Sequence, residues 1–224
     1  MKLVIFDCDG TLVDSQNIIY SAMSKAFEDT GLPIPSRATV RSVIGLSLVE
    51  AVGLCMPDDC SADPQALAEI YKNAFADLRN DPQNDEPLFP GMIETLQHLS
   101  EQPETIMAVA TGKSQRGMQR IIKRENLGNL FHSVQTADEH PSKPHPSMIV
   151  EAMTKAGIEA DRTIMVGDTT FDMQMAVNAR ARAIGVSWGY HETGALAQSG
   201  AATIIDTFQD LPTAIDALLT TRAA

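Results

Sequence analysis

Two carboxylates, Asp7 and Asp9, stand directly behind the run Lys2-Leu3-Val4-Ile5-Phe6. Such a run reads as a buried strand, and its carboxyl end delivers both acids to one place. Crowded carboxylates repel one another and resist burial unless something offsets their charge, as a divalent cation does. Gly167-Asp168, behind Thr163-Ile164-Met165-Val166, brings a third acid to a strand end. Asp172 follows one helical turn later. A hydroxyl, Thr111, ends the run Ile106-Met107-Ala108-Val109-Ala110, and an ammonium, Lys143, lies in the proline-stiffened Pro141-Ser142-Lys143-Pro144-His145-Pro146. Ligands of open α/β sheets bind outside the carboxyl ends of the strands, where these residues fall.

The elements that must position this set alternate along the chain. Strands are expected at 2–6, 105–110, 163–166, 183–186 and 203–205. Helical periodicity marks the segments after Pro90-Gly91, around Met118 and Ile121, from Met148 to Gly157, over Met173–Ala179, and from Leu211 to Leu219. Alternation of this kind implies a doubly wound, Rossmann-like parallel sheet covered on both faces. Residues 16–85 depart from it. Ile18, Ile19, Ala22, Met23, Ala26 and Phe27 recur at helical spacing, as do Leu67, Ile70, Tyr71, Ala74 and Phe75. A less regular helical stretch over 36–55 is interrupted by Gly45 and Gly53, and the polar, proline-bearing segment 80–87 reads as a linker. The expected organisation is an α/β core of 1–15 and 86–224 with a helical insertion at 16–85.

With 224 residues, 44% hydrophobic and 21% charged, the composition is that of a globular protein. A net charge of −12 disfavours nucleic acid and anionic membrane as partners, whereas a local cation and a lysine still admit a small anion. Cys8, Cys55 and Cys60 form no metal pattern and no disulfide framework, so reduced thiols in the cytoplasm are expected. No run reaches membrane length.

Taken together and in order, Asp7-x-Asp9-Gly10-Thr11, Thr111-Gly112, Lys143-Pro144 and Gly167-Asp168-Thr169-Thr170-Phe171-Asp172 resemble the four motifs of the haloacid dehalogenase superfamily. The branch resembled is that of phosphatases with a helical cap after the first motif, of the phosphoglycolate phosphatase type. The resemblance implies a Mg2+-dependent hydrolysis of a small phosphorylated metabolite by a monomer or homodimer. It implies Asp7 as nucleophile, forming an aspartyl-phosphate, and Asp9 as the acid and base that serves the leaving alcohol and then the water. Neighbouring negative charge would raise the Asp9 carboxyl for that work. Mg2+ would take oxygens from Asp7, the main chain of Asp9, and Asp168. Thr111 and main-chain amides near Gly10 and Gly112 would hold phosphoryl oxygens, and Lys143 would add fixed positive charge. Asp172 would orient a metal-bound water or Lys143. Lys113 and Arg41 are candidates for gripping a substrate anion.

The individual residues also admit plainer readings: Asp168 as a helix cap, Lys113 and Arg41 as surface cations, Cys8 as core. Trp188, Tyr190 and His191 follow a strand and either line the active edge or pack a loop. A sugar-phosphate mutase uses the same acid pair, although Thr11 leans toward hydrolysis. A pyrophosphatase or nucleotidase is a substrate variant of the leading reading. A dehalogenase needs neither metal nor second acid, and a non-catalytic regulatory module would not need the full set.

Overall fold

The computed structural model describes residues 1–79, 81 and 84–220. Of the linker expected over 80–87, residues 80, 82 and 83 lie outside the described residues. Six strands form one parallel sheet: β1 (Lys2–Phe6), β2 (Thr105–Thr111), β3 (Ser133–Thr136), β4 (Thr163–Gly167), β5 (Arg182–Val186) and β6 (Thr203–Ile205), in the order β3-β2-β1-β4-β5-β6. The pleat sends alternate residues to opposite faces, so a strand buried on both sides must be apolar throughout. Val4 and Phe6 of β1 accordingly join one core cluster, while Leu3 and Ile5 join another. The first is closed by α5 (Met92–Ser100), α6 (Gln115–Arg124) and α10 (Leu211–Thr220). The second is closed by α7 (Ser147–Ala156), α8 (Thr170–Asn178) and α9 (Thr193–Gln198). This is the doubly wound α/β class expected from the sequence.

The remaining helices, α1 (Gln16–Asp29), α2 (Arg37–Val43), α3 (Leu48–Cys55) and α4 (Pro64–Leu78), lie between β1 and the rest of the sheet in sequence. They bury a third cluster that includes Phe27, Val40, Val52 and Leu67. Of the two glycines expected to interrupt the 36–55 region, only Gly45 does so, at φ +104; Gly53 lies inside α3. The strand β3 escapes the sequence pattern because Ser133-Val134-Gln135-Thr136 carries one aliphatic residue. None of the described helices is long and apolar enough to cross a membrane.

The sheet order determines what meets where. From β1 the chain moves outward through β2 and β3, then returns to β4 on the other side of β1. Phe6 pairs in register with Val109 of β2 and with Val166 of β4. The loops leaving β1, β2 and β4 therefore open at one topological switch point, and α1–α4 are laid over it.

Candidate active site

Asp7 leaves β1 at this point with 1% exposure. Lys143 Nζ stands 2.8 Å from its Oδ1 as an ion pair, yet neither Asp7 oxygen receives a well-directed hydrogen bond. Asp168, at the end of β4, and Asp172, in the first turn of α8, are fully buried beside it. One oxygen from each of the three acids lies within 4.8 Å of the others. Burial pushes the Asp7 carboxyl up to about 7, with Lys143 opposing the rise and Asp172 and Asp9 adding to it. Burial also holds Asp168 well above the ordinary carboxyl range, reinforced by Asp172 and Asp7. A buried, oxygen-only donor set whose central carboxylate has no well-directed hydrogen bond fits a hard divalent cation.

Local structure holds each member in place. Gly10 has φ +88, and a Cβ there would lie 2.2 Å from Asp168 Oδ2, so the turn after Asp9 requires glycine for both its backbone and its closeness. Thr11 Oγ1 donates to Asp168 Oδ1 at 2.8 Å, and the Tyr190 amide donates to Asp168 Oδ2 at 2.9 Å. Asp172 Oδ2 accepts from the amide and hydroxyl of Thr169, capping α8, while its Oδ1 accepts from Lys143 Nζ at 2.7 Å. Burial works against the Lys143 charge, but Asp172 and Asp7 outweigh it and keep the ammonium protonated. The helix cap is thus Thr169 rather than Asp168, and Asp172 serves both cap and lysine.

Asp9 faces a different set. Its Oδ1 accepts from Ser15 Oγ at 2.6 Å and from Lys113 Nζ at 2.8 Å. Asp9 thus has a cation beside it as well as the expected negative charge of Asp7. Lys113 is no surface lysine: its side chain is 7% exposed and also pairs with Glu86 at 2.9 Å. Burial opposes its charge, yet Asp9, Cys8 and Glu86 raise its pKa above the usual lysine value. Thr111 Oγ1 is buried and accepts from the Lys113 amide at 3.1 Å. Cys8 is buried core.

Arg41 departs from its expected place. Its Nε donates to the Tyr190 carbonyl at 2.6 Å and its Nη2 to the Gly189 carbonyl at 3.2 Å. Backbone carbonyls occupy the guanidinium, and Arg41 does not line the cavity over Asp7 and Asp9. It ties α2 to the loop after β5. Two further contacts join the same bodies: the Ser47 amide donates to Ser142 Oγ at 2.8 Å, and the carbonyls of Gly45 and Leu46 rest against Gly112.

Sequence reasoning missed Ser15 and Glu86, and of its two readings for the loop after β5 the structure shows that loop packed against the active edge. The Tyr190 hydroxyl accepts from the Ser15 amide at 3.0 Å, and the Trp188 indole donates to the Thr11 carbonyl at 3.2 Å. The run Trp188-Gly189-Tyr190 behind a strand was the signal for that loop. Glu86 gave none, because a lone acid in a polar stretch reads as solvated.

Residues 4–186 match the family model of haloacid dehalogenase-like hydrolases. The probable phosphatase IndB of Dickeya dadantii is 40% identical over 97% of this chain and 94% of its own. A phosphoglycolate phosphatase of Pseudomonas syringae pv. tomato is 30% identical over 94% of this chain and 78% of its own. Among solved structures, one from Haemophilus somnus described as a predicted phosphoglycolate phosphatase superposes with a TM-score of 0.81 at 28% identity, covering 96% of this chain and 97% of that one. The chain belongs to the haloacid dehalogenase-like hydrolase family.

Proposed function

We propose that the protein is a Mg2+-dependent phosphatase that hydrolyses the phosphomonoester of a small metabolite through an aspartyl-phosphate on Asp7. The observation that carries this reading is the buried Asp7 carboxylate, paired with Lys143 and facing Asp168 and Asp172 at the switch point. Relatives named as phosphatases support it. Asp7, Asp168 and the Asp9 carbonyl would hold Mg2+, whose charge offsets that of the attacking carboxylate and the phosphoryl group.

An Asp7 oxygen attacks phosphorus while the bond to the alcohol oxygen breaks. Asp9 gives that oxygen its proton, then takes one from the water that attacks the aspartyl-phosphate, releasing inorganic phosphate and restoring Asp7. Ser15 and Lys113 fix Asp9 through Oδ1 and leave Oδ2 for the proton. Lys143, locked between Asp7 and Asp172, keeps a positive charge beside the phosphoryl oxygens, and Thr111 offers a hydroxyl. Residues 1–15 and 86–224 act as the core in this reading, and 16–85 as the cap that excludes water. The three free cysteines suit a cytoplasmic setting.

The test is release of inorganic phosphate from p-nitrophenyl phosphate with and without Mg2+. Turnover that needs the cation and falls at least about a thousandfold in Asp7→Asn is expected. A folded, cation-supplied protein that releases no phosphate removes the reading.

A further inference from the structure

The cavity over Asp7 and Asp9 holds about 650 Å³. Arg41, Ser47 and the Gly45–Leu46 carbonyls already dock α1–α4 onto the core, so this volume persists with the cap in place. Sites for ligands of drug-like size have about 300–1,000 Å³. A two-carbon phosphorylated acid would occupy a small part of this space.

The wall opposite the acids is apolar. Ile19 and Met23 of α1, Val43 of α2, Leu48 of α3, and Tyr71 and Phe75 of α4 line it. The Tyr71 and Phe75 rings stand 5.9 Å apart, centroid to centroid. A substrate carboxylate against these side chains would lose its water and meet one side-chain donor, the Tyr71 hydroxyl.

The cations that line the cavity do not remedy this. Lys113 is engaged by Asp9 and Glu86, Arg120 by Glu86, and Lys72 by Glu69. Arg79 and Arg116 are exposed. A carboxylate beside the phosphate would thus face either a cation already neutralised or one standing in water, where ion pairs contribute little.

We infer that the site is built for phosphomonoesters whose alcohol half has a bulky, largely apolar body and no carboxylate next to the phosphate. This rests on the phosphatase reading above and gives it a substrate class. The phosphate lies at Asp7 and Lys143, and the organic body fills the space between α1, α2 and α4. Apolar surface leaving water against Val43, Tyr71 and Phe75 then supplies binding that a short, charged alcohol cannot.

The experiment compares kcat/KM for ethyl phosphate, n-hexyl phosphate, 2-phenylethyl phosphate and 2-phosphoglycolate with Mg2+ present. All four are esters of primary alcohols. The expected result is that 2-phenylethyl phosphate exceeds both ethyl phosphate and 2-phosphoglycolate by about 10- to 100-fold. Filling the cavity from α3 with Val49→Trp is expected to pull the phenylethyl-to-ethyl ratio toward one. Turnover of all four with 2-phosphoglycolate preferred, or with no gain from ethyl to phenylethyl, overturns the inference and leaves the phosphatase reading standing. Turnover of none, and none of p-nitrophenyl phosphate, overturns both.

Discussion

Asp7 and Asp9 are two residues apart and meet opposite surroundings. Asp7 is enclosed with Asp168 and Asp172, and its carboxyl rises to about 7 from 3.8. Between those values the native, metal-free protein holds a proton that the unfolded chain has lost, so its stability falls as pH rises from about 4 through about 7. Chemical denaturation of the EDTA-treated protein at pH 5 and pH 8 should show this loss. Mg2+ should reverse it at pH 8, and Asp7→Asn should lessen the metal-free slope across this range, leaving the part that the raised Asp168 carboxyl contributes. A metal-free stability that rises through the interval would contradict the assignment. Asp9, held by Ser15 and Lys113, is instead tied to a chain of charges that runs through Glu86 to Arg120. Lys113 was legible as a candidate beside Thr111-Gly112, but its pairing with Glu86 was not, because charged residues are read as surface unless a partner is visible. Here the partners come from segments 9, 86 and 113, which only the fold brings together.

At the scale of elements, what was legible followed periodicity and burial. The strands β1, β2, β4 and β5 are apolar runs because both their faces are covered, and they end where the sequence places the acids and Thr111. The edge strand β3 lacks that pressure and lost its signal. The docking of α2 and α3 was equally hidden. It depends on backbone carbonyls, which side-chain types do not reveal: those of Gly45 and Leu46 against Gly112, and those of Gly189 and Tyr190 on Arg41. Gly112 offers a direct test. A Cβ there would lie 2.5 Å from the Leu46 carbonyl and 2.6 Å from that of Gly45. Gly112→Ala should push the Gly45 loop away, lowering kcat/KM for p-nitrophenyl phosphate about tenfold or more. Hydrogen exchange should quicken in α2 and α3 while the sheet keeps its protection. Unchanged exchange in both helices would show that the loop gives way locally.

Over the whole molecule, a chain of net charge −12 carries a spot where cations are interleaved with buried acids. The global charge is no guide to the site, because Lys143 and Lys113 act over a few ångströms in a poorly screened interior. The sheet connects that spot to a distant part of the chain through the loop after β5. Trp188 is the chain's single tryptophan. Its indole donates to the Thr11 carbonyl, and its ring lies 4.7 Å from that of Phe208 and 6.2 Å from that of Phe89. Thr11 in turn donates to Asp168. The chain's one indole thereby stands one hydrogen bond from the turn that carries Gly10 and Thr11. Emission excited at the indole band should change as Mg2+ is titrated in, with a midpoint matching the cation dependence of phosphate release. Asp168→Asn should abolish the change and Trp188→Phe should leave the protein dark, so occupancy of the centre becomes readable as light from unlabelled protein, without turnover.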